Sequence, residues 1–292
     1  MSLHHGGTLM SSFTFSLVGG DLRIAWLSKL LADDGHIVKL YAHEENDFPF
    51  SESIIHCNDL EVALNASEIC VLGIPSCRVN QILNTPFSSR TIPFSHVDAL
   101  LSEHQYLFGG ILPVSRENYF DYGKDPAFIL ANALPTAEGT LQLLMEHLPC
   151  VVSGTQMAII GYGRVAQAVA KLLNAVGVQV TVYARDPLAR TSAEIANFAA
   201  KELSDLAFDI LHYQAVINTV PAIVVPAATL QSASKDTLFV ELAAKPGGFD
   251  LSAIKEYRLN LLSAPGLPGR VAPQTAALYI KKYLLGKLGE LL

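Results

Sequence analysis

Charge is scarce in this sequence. Only 16% of its 292 residues are charged, and the 20 basic residues are outnumbered by 27 acidic ones. A formal charge of -7 with a pI near 5.7 leaves no basic footprint for a phosphate backbone, so nucleic acid is excluded as a partner. Cysteine is limited to Cys57, Cys70, Cys77 and Cys150, none in C-x-x-C spacing, so they are read as buried thiols in a reducing compartment rather than a disulfide framework. No apolar run reaches the roughly 18 residues that a membrane-spanning helix needs, and Met1 to Met10 lack the basic-then-apolar profile of a signal peptide. No membrane association is expected, and the chain is read as cytoplasmic. His4, His5, Gly6 and Gly7 are either native or a remnant foreign to the native chain, and they are set aside from metal arguments. The other histidines, among them His56, His96, His104, His147 and His212, show no ligand spacing, so no metal site is expected.

Apolar residues, by contrast, make up half the chain, and mean hydropathy is +0.33. That balance suits parallel strands covered on both faces, and the length suits two domains, each with its own core. The run Phe13–Val18 ends in Gly19-Gly20-Asp21 before a helical pattern through Ile24, Leu27 and Leu31. Further β-like runs follow at His36–Tyr41, Glu68–Ile74, Tyr106–Ile111 and Phe128–Leu130. A second series begins at Met157–Ile160 and continues at 178–183, 215–220, 237–242 and 259–262. Strands alternating with longer segments predict an α/β fold with two parallel sheets. Leu141, Leu144, Met145 and Leu148, following Pro135-Thr136, predict a connecting helix, which places the domain boundary near 135–152. A last helix is expected from about Thr275, with Leu278, Tyr279, Leu285 and Leu288 as its apolar face.

The second series opens with Gly161-Tyr162-Gly163-Arg164-Val165-Ala166. G-x-G-x-x-A alone is weak, but here it leaves an apolar strand directly and opens a helix with Val165, Val169, Leu172, Leu173 and Val176 on one face. Gly161 permits the tight turn, Gly163 a close approach of backbone to pyrophosphate, and Ala166 close helix–sheet packing. The helix N-terminus supplies N–H groups to the phosphates, so this is read as a nicotinamide-dinucleotide site. The plain alternative is a ligand-free βα turn.

At the end of the next strand Arg185 stands about where an acid would bond the ribose 2′-hydroxyl, which favours NADP, while Asp186 one residue on keeps NAD as the other candidate. Asn218, Thr219 and Pro221, then Ala243, then Pro265 follow three further strands. In an open parallel sheet those loops line the ligand crevice, so these residues join the coenzyme-binding set.

The blocks Pro135–Thr140, Gly161–Arg164, Asn218–Pro221, Lys245–Gly248 and Ala264–Gly269 with Val271-Ala272-Pro273 resemble, in the same order, the A-subunit family of dipicolinate synthase. Glu241 and Ala244 stand where Asp and Ser would be expected. The resemblance implies oxidation of dihydrodipicolinate to dipicolinate in the mother cell of a sporulating bacterium, with a flavoprotein-like B subunit on which FMN is a candidate cofactor. It also implies a layout of two Rossmann-like parallel-sheet domains with an interdomain cleft and a C-terminal helix crossing back to the first domain. The first, substrate or catalytic domain is then 11–135 with helix 274–292, and the NAD(P)-binding domain 136–273 with the connecting helix. A homo-oligomer is expected.

Oxidising a dihydropyridine creates an aromatic ring, so the site needs positioning more than a powerful base, together with partners for two carboxylates. Thr136 and Glu138, at the expected start of the connecting helix, are the candidates for bonding a carboxylate and for accepting the proton, with helix capping and dipole complementation as their plain alternatives. Lys245 is the candidate for holding a carboxylate, or else an exposed loop lysine. Ser76, Arg116 and Asn132 are candidate substrate contacts, against ordinary surface or turn roles. Two other functions stay open: a 2-hydroxy or 2-amino acid dehydrogenase, for which no His–carboxylate or Lys–His pair is evident, and a nicotinamide-binding scaffold or regulatory protein without hydride chemistry.

Overall fold

The glycine pairs at Gly19-Gly20 and Gly161-x-Gly163 each become a corner between a strand and a helix. The structure is a computed structural model that describes residues 12–291; residues 1–11, with His4, His5, Gly6 and Gly7 among them, and Leu292 lie outside the described residues. The chain divides into two units, one running to Ile129 and resuming at Pro273, the other Leu130–Ala272.

In the first unit β1 (Thr14–Val18), α1 (Leu22–Asp33), β2 (Ile37–Tyr41), β3 (Ile54–Cys57), α2 (Leu60–Leu64), β4 (Ile69–Leu72), α3 (Phe94–Leu100), β5 (Tyr106–Gly109) and β6 (Tyr119–Asp121) follow in order. The six strands form one parallel sheet in the order β3-β2-β1-β4-β5-β6. Helix α4 (Pro126–His147) leads into the second unit. There β7 (Gln156–Ile160), α5 (Arg164–Ala175), β8 (Gln179–Ala184), α6 (Pro187–Ile195), β9 (Ala199–Glu202), α7 (Leu206–Asp209), β10 (Ala215–Asn218), α8 (Ala227–Leu230), β11 (Leu238–Glu241), α9 (Leu251–Glu256), β12 (Asn260–Ser263) and α10 (Leu267–Val271) follow. Its sheet, again all parallel, has the order β12-β11-β10-β7-β8-β9. Counted from its first strand, each sheet has the 3-2-1-4-5-6 order of a doubly wound fold; the sequence pattern predicted two parallel sheets but not the order of their strands.

Both sheets are covered on two faces, which explains why their central strands are largely apolar and buried. One face of the first packs α1 through Ile24, Leu27 and Leu31, and the other packs α2 and α3 through Leu60, Leu64, Phe94 and Val97. The second sheet packs Ala166, Val169, Ala170 and Leu173 of α5 on one face and Leu206, Leu230 and Ile254 on the other. Helix α11 (Pro273–Leu291) returns to the first unit and lies against α1, where Lys281 pairs with Asp34 and donates to the Leu30 carbonyl at 3.1 Å. Its buried residues are Ala276, Ala277, Ile280, Leu284 and Leu288. The expected face is therefore corrected: Leu278 is exposed, and Ala277-x-x-Ile280-x-x-x-Leu284-x-x-x-Leu288 is the row that meets the core.

Three further expectations are overturned. Phe128–Leu130 is not a strand but the first turn of α4, because Asp125 caps the helix by accepting from the Phe128 N–H at 2.7 Å and Pro126 occupies its first position. The connecting helix thus starts well before Pro135, which sits inside it and leaves the Ala131 carbonyl without its amide partner. Cys150 is exposed and Cys57 and Cys77 are half-buried; Cys70 alone of the four is fully enclosed, and all four are free thiols.

Candidate functional site

Each sheet has a switch point, between β1 and β4 in the first and between β7 and β10 in the second, and each offers a glycine corner there. The two corners differ in what fills them. In the first, the Gly19 and Gly20 amides donate to the Tyr41 and Asn84 carbonyls at 2.9 and 2.7 Å. Asp21 then caps α1, its carboxylate accepting from the Arg23 amide at 3.1 Å and pairing with the Arg23 guanidinium at 2.7 Å. A Cβ at Gly19 would meet the Thr85 methyl at 2.7 Å. The corner is full, and a carboxylate already sits where a phosphate would go.

The second corner is open. Gly161, at φ 86°, donates its amide to the Tyr183 carbonyl at 2.8 Å, and a side chain there would meet Val220 and Thr219 at 2.8 and 2.9 Å, so only glycine makes this turn. Gly163 precedes α5 with an ordinary extended backbone, no side chain caps the helix, and no atom lies within 4 Å of where a Cβ would stand. The first-turn amides of Arg164, Val165 and Ala166 therefore lack a side-chain acceptor, and the N-terminal end of a 12-residue helix meets open space. Tyr162 is buried edge-on to Phe198 at 6.2 Å, its phenol pushed up by burial. Arg164 is exposed and Val165 half-buried.

Beside this corner a cavity of about 350 Å³ is lined by Gly161, Gly163, Arg185, Leu203, Val220 and Val224 among others. Its backbone end suits phosphates and its aliphatic end a flat base. Larger hollows of about 880 and 620 Å³ lie along the amino ends of β4, β5 and β6, the edge opposite the glycine corner of that sheet. Glu61, Glu68, Glu103 and Glu117 line them, which disfavours an anionic ligand despite their size. Among the described residues no group of three or more His, Cys, Asp or Glu side chains is placed to hold a metal.

At the end of β8, Arg185 is exposed and makes no ion pair among the described residues, whereas Asp186 caps α6 by accepting from the Leu188 amide at 3.0 Å. Asn218, expected as a coenzyme contact, is instead fully enclosed. Its amide nitrogen donates to the Val220 carbonyl at 2.9 Å and to Glu241 Oε1 at 2.6 Å, and its Oδ1 accepts from the Val220 amide at 3.1 Å. Glu241, marked in the sequence only as a departure from the family pattern, has a role there that the sequence did not assign. Its buried carboxylate accepts from Asn218, from the Ala243 amide at 3.0 Å and from the Gly248 amide at 2.7 Å, joining the loops after β10 and β11. Thr219 donates to the Ile160 carbonyl at 2.8 Å, which fixes the β10 loop to the glycine corner. Pro221 and Pro265 are exposed, Ala243 is half-buried, and Lys245 is exposed with no carboxylate partner among the described residues.

On α4 the residues stand elsewhere than expected. Asn132, Thr136 and Glu138 lie in the middle of the helix, so Thr136 is no N-cap and Glu138 is not in a first turn. The Thr136 hydroxyl donates to the Asn132 carbonyl at 3.0 Å. Glu138 is exposed, and Asn132 Oδ1 is buried without a hydrogen-bond donor. Gly139, with no signal of its own in the sequence, marks a close approach: a Cβ would meet Val271 at 2.8 Å and Leu267 at 3.1 Å of α10. Ser76 is buried with its hydroxyl shared between the Gly73 and Gly110 carbonyls, both at 3.0 Å. Arg116 stands at the amino end of β6, paired with Asp98 and 5.4 Å over the Tyr119 ring. Neither arrangement leaves the free anion contact that the sequence suggested.

With this geometry in view the comparisons are specific. Residues 14–124 match the family described as the N-terminal domain of the dipicolinate synthase A subunit, and residues 140–244 match the NAD-binding domain of D-isomer specific 2-hydroxyacid dehydrogenases. The dipicolinate synthase A subunit of Bacillus subtilis (strain 168) is 28% identical over 97% of this chain and 98% of its own length. The crystal structure of the corresponding dipicolinate synthase protein from Bacillus halodurans is 26% identical, covers 97% of this chain and 99% of its own, and superposes with a TM-score of 0.83. An L-alanine dehydrogenase structure, at 14% identity, shares the fold alone over 94% of this chain and 88% of its own, with a TM-score of 0.63. A nicotinamide-dinucleotide domain thus occupies the unit whose corner is open.

Proposed function

This chain belongs to the A-subunit family of dipicolinate synthase, and from that premise we propose that it binds NADP in its second unit and oxidises dihydrodipicolinate to dipicolinate together with the enzyme's B subunit. One observation carries the reading: the α5 N-terminus is free of any cap and borders a cavity lined by an unpaired arginine, whereas its counterpart in the first unit is closed by Asp21. The Arg164–Ala166 amides would hold the pyrophosphate and Arg185 the 2′-phosphate. When bound, the coenzyme supplies the two-electron acceptor for a hydride.

The remaining chemistry falls to the chain. Forming the aromatic ring removes one hydrogen with its electron pair and one as a proton, and the gain in aromaticity makes orientation the main requirement. Glu138, exposed on α4, is the proposed proton acceptor. Lys245 is proposed to hold a substrate carboxylate, and Asn132 Oδ1, which lacks a donor, to receive an N–H or O–H from the substrate.

Arg185→Ala is expected to weaken NADP⁺ binding by about tenfold or more, from loss of one charge-assisted pair, with NAD⁺ affinity unchanged in calorimetry. Lys245→Ala is expected to raise KM for dihydrodipicolinate in the reconstituted two-component reaction, and an unchanged KM removes that role. The decisive assay mixes the purified chain, NADP⁺ and fresh dihydrodipicolinate, with and without the partner flavoprotein, and follows dipicolinate and NADPH by absorbance. Equal yields of the two support the proposal. Dipicolinate formed only with flavin reduction, and no NADPH, assigns this chain a scaffold role instead.

A further inference from the structure

We propose that Arg190, which is not part of the cavity lining, sets the preference for a 2′-phosphorylated coenzyme by fixing the backbone from which Arg185 projects; the inference rests on the NADP reading above. Arg185 is a long side chain on an exposed turn, and alone it would lose much of its binding energy to the entropy of being held in one orientation. The turn beneath it is fastened from three directions. Arg190 Nη1, one turn into α6, donates to the Ala184 carbonyl at 2.8 Å and to the Arg185 carbonyl at 2.9 Å. Its Nη2 pairs with Glu202 on β9 at 3.2 Å. Asp186, between them, is held as the cap of α6, with Pro187 at the first helical position. One planar guanidinium therefore ties the end of β8, the start of α6 and the neighbouring strand together. Two carbonyls on one side and a carboxylate on the other match its forked donors, a geometry that an ammonium on a flexible stem does not reproduce.

Among the described residues, the fastened turn is also the only part of the cavity lining that supplies a free cation, since Arg185 lines it and Arg190 is occupied with backbone and Glu202. Loosening the turn should therefore cost the phosphate contact specifically, and leave the α5 corner and the aliphatic end of the cavity intact. Arg190 thereby acts as a positioning residue.

The test uses the full chain and two probes, adenosine 2′,5′-bisphosphate and adenosine 5′-monophosphate, titrated by calorimetry into wild type, Arg190→Met, Arg190→Lys and Arg185→Ala, with thermal melts alongside. Wild type is expected to prefer the bisphosphate. Arg190→Met should lose about tenfold of that preference, the equivalent of one charge-assisted hydrogen bond, with monophosphate affinity nearly unchanged. Arg190→Lys, which keeps the charge, should recover only part of it. Equal weakening of both probes marks a merely structural residue, and full recovery by lysine marks a charge effect; either overturns the proposal. If Arg185→Ala abolishes the preference while Arg190→Met retains it, the inference fails and the NADP reading survives. If wild type shows no preference, both fall.

Discussion

Gly163→Asp is expected to abolish coenzyme binding while leaving the fold at least as stable as before. Gly163 has φ -77° and ψ -174°, an N-cap conformation open to any residue, and nothing occupies the space its side chain would enter. Aspartate there can accept from the free amides of the first turn of α5, as Asp21 does on α1, for a gain of a few tenths of a kcal/mol over a glycine cap, rising to about 1 kcal/mol with its negative charge at the helix N-terminus. The same carboxylate takes the place of the pyrophosphate and repels it, so the dissociation constant should rise roughly a hundredfold or more, about 3 kcal/mol. The melting temperature should hold or rise by roughly 1–4 °C. Few substitutions separate binding from stability this cleanly, and a variant that still binds NADP⁺ with wild-type affinity contradicts the assigned site.

Glu241→Gln carries the largest expected effect on stability. The native carboxylate is buried and accepts three hydrogen bonds, two on Oε1 and one on Oε2. An amide has a single acceptor oxygen, so in either orientation its NH₂ group faces at least one donor and leaves an N–H buried without a partner. Losing a bond to a charged acceptor and stranding a donor costs about 2–4 kcal/mol. The melting temperature should fall by roughly 5–15 °C. Coenzyme affinity should also weaken, because Asn218 and Glu241 hold the loops after β10 and β11 at the same sheet edge as the glycine corner. A melting temperature within a degree of wild type would remove Glu241 from its assigned role.

Much of this was legible in the sequence because local and long-range signals agreed. The strand at Met157–Ile160, Gly161-x-Gly163 and the apolar face of the following helix each specify the same strand-turn-helix corner, and the structure forms it; of that expected face Val169 and Leu173 are buried, Val165 and Leu172 half-buried and Val176 exposed, while Ala166 and Ala170 complete the buried row. Strands β3, β6 and β9 escaped notice because they lie at a sheet edge, are short, and mix polar with apolar residues instead of running apolar throughout. The start of α4 was misplaced for a different reason. Pro135 reads as a helix beginning, yet the stronger signal was Asp125-Pro126, a cap followed by a first-turn proline about ten residues earlier.

The site divides along the same line. Residues whose role is local, such as Gly161, Gly163 and Arg185, were visible from spacing alone. Glu241 was not, since its acceptors serve partners 2, 7 and 23 residues away that only the sheet order brings together. Ser76 and Arg116 looked free because sequence does not reveal that the Gly73 and Gly110 carbonyls and Asp98 claim them. Arg190 went unnoticed for the same reason: a surface-helix arginine has no signature until the carbonyls it holds are in place.

The contrast between the two glycine corners is best tested by amide hydrogen exchange on the full chain with and without NADP⁺. Slower exchange at Tyr162–Ala166, with no change at Gly19–Arg23, is the predicted result. Protection at Gly19–Arg23 instead, or no protection at either corner at saturating coenzyme, would contradict the account.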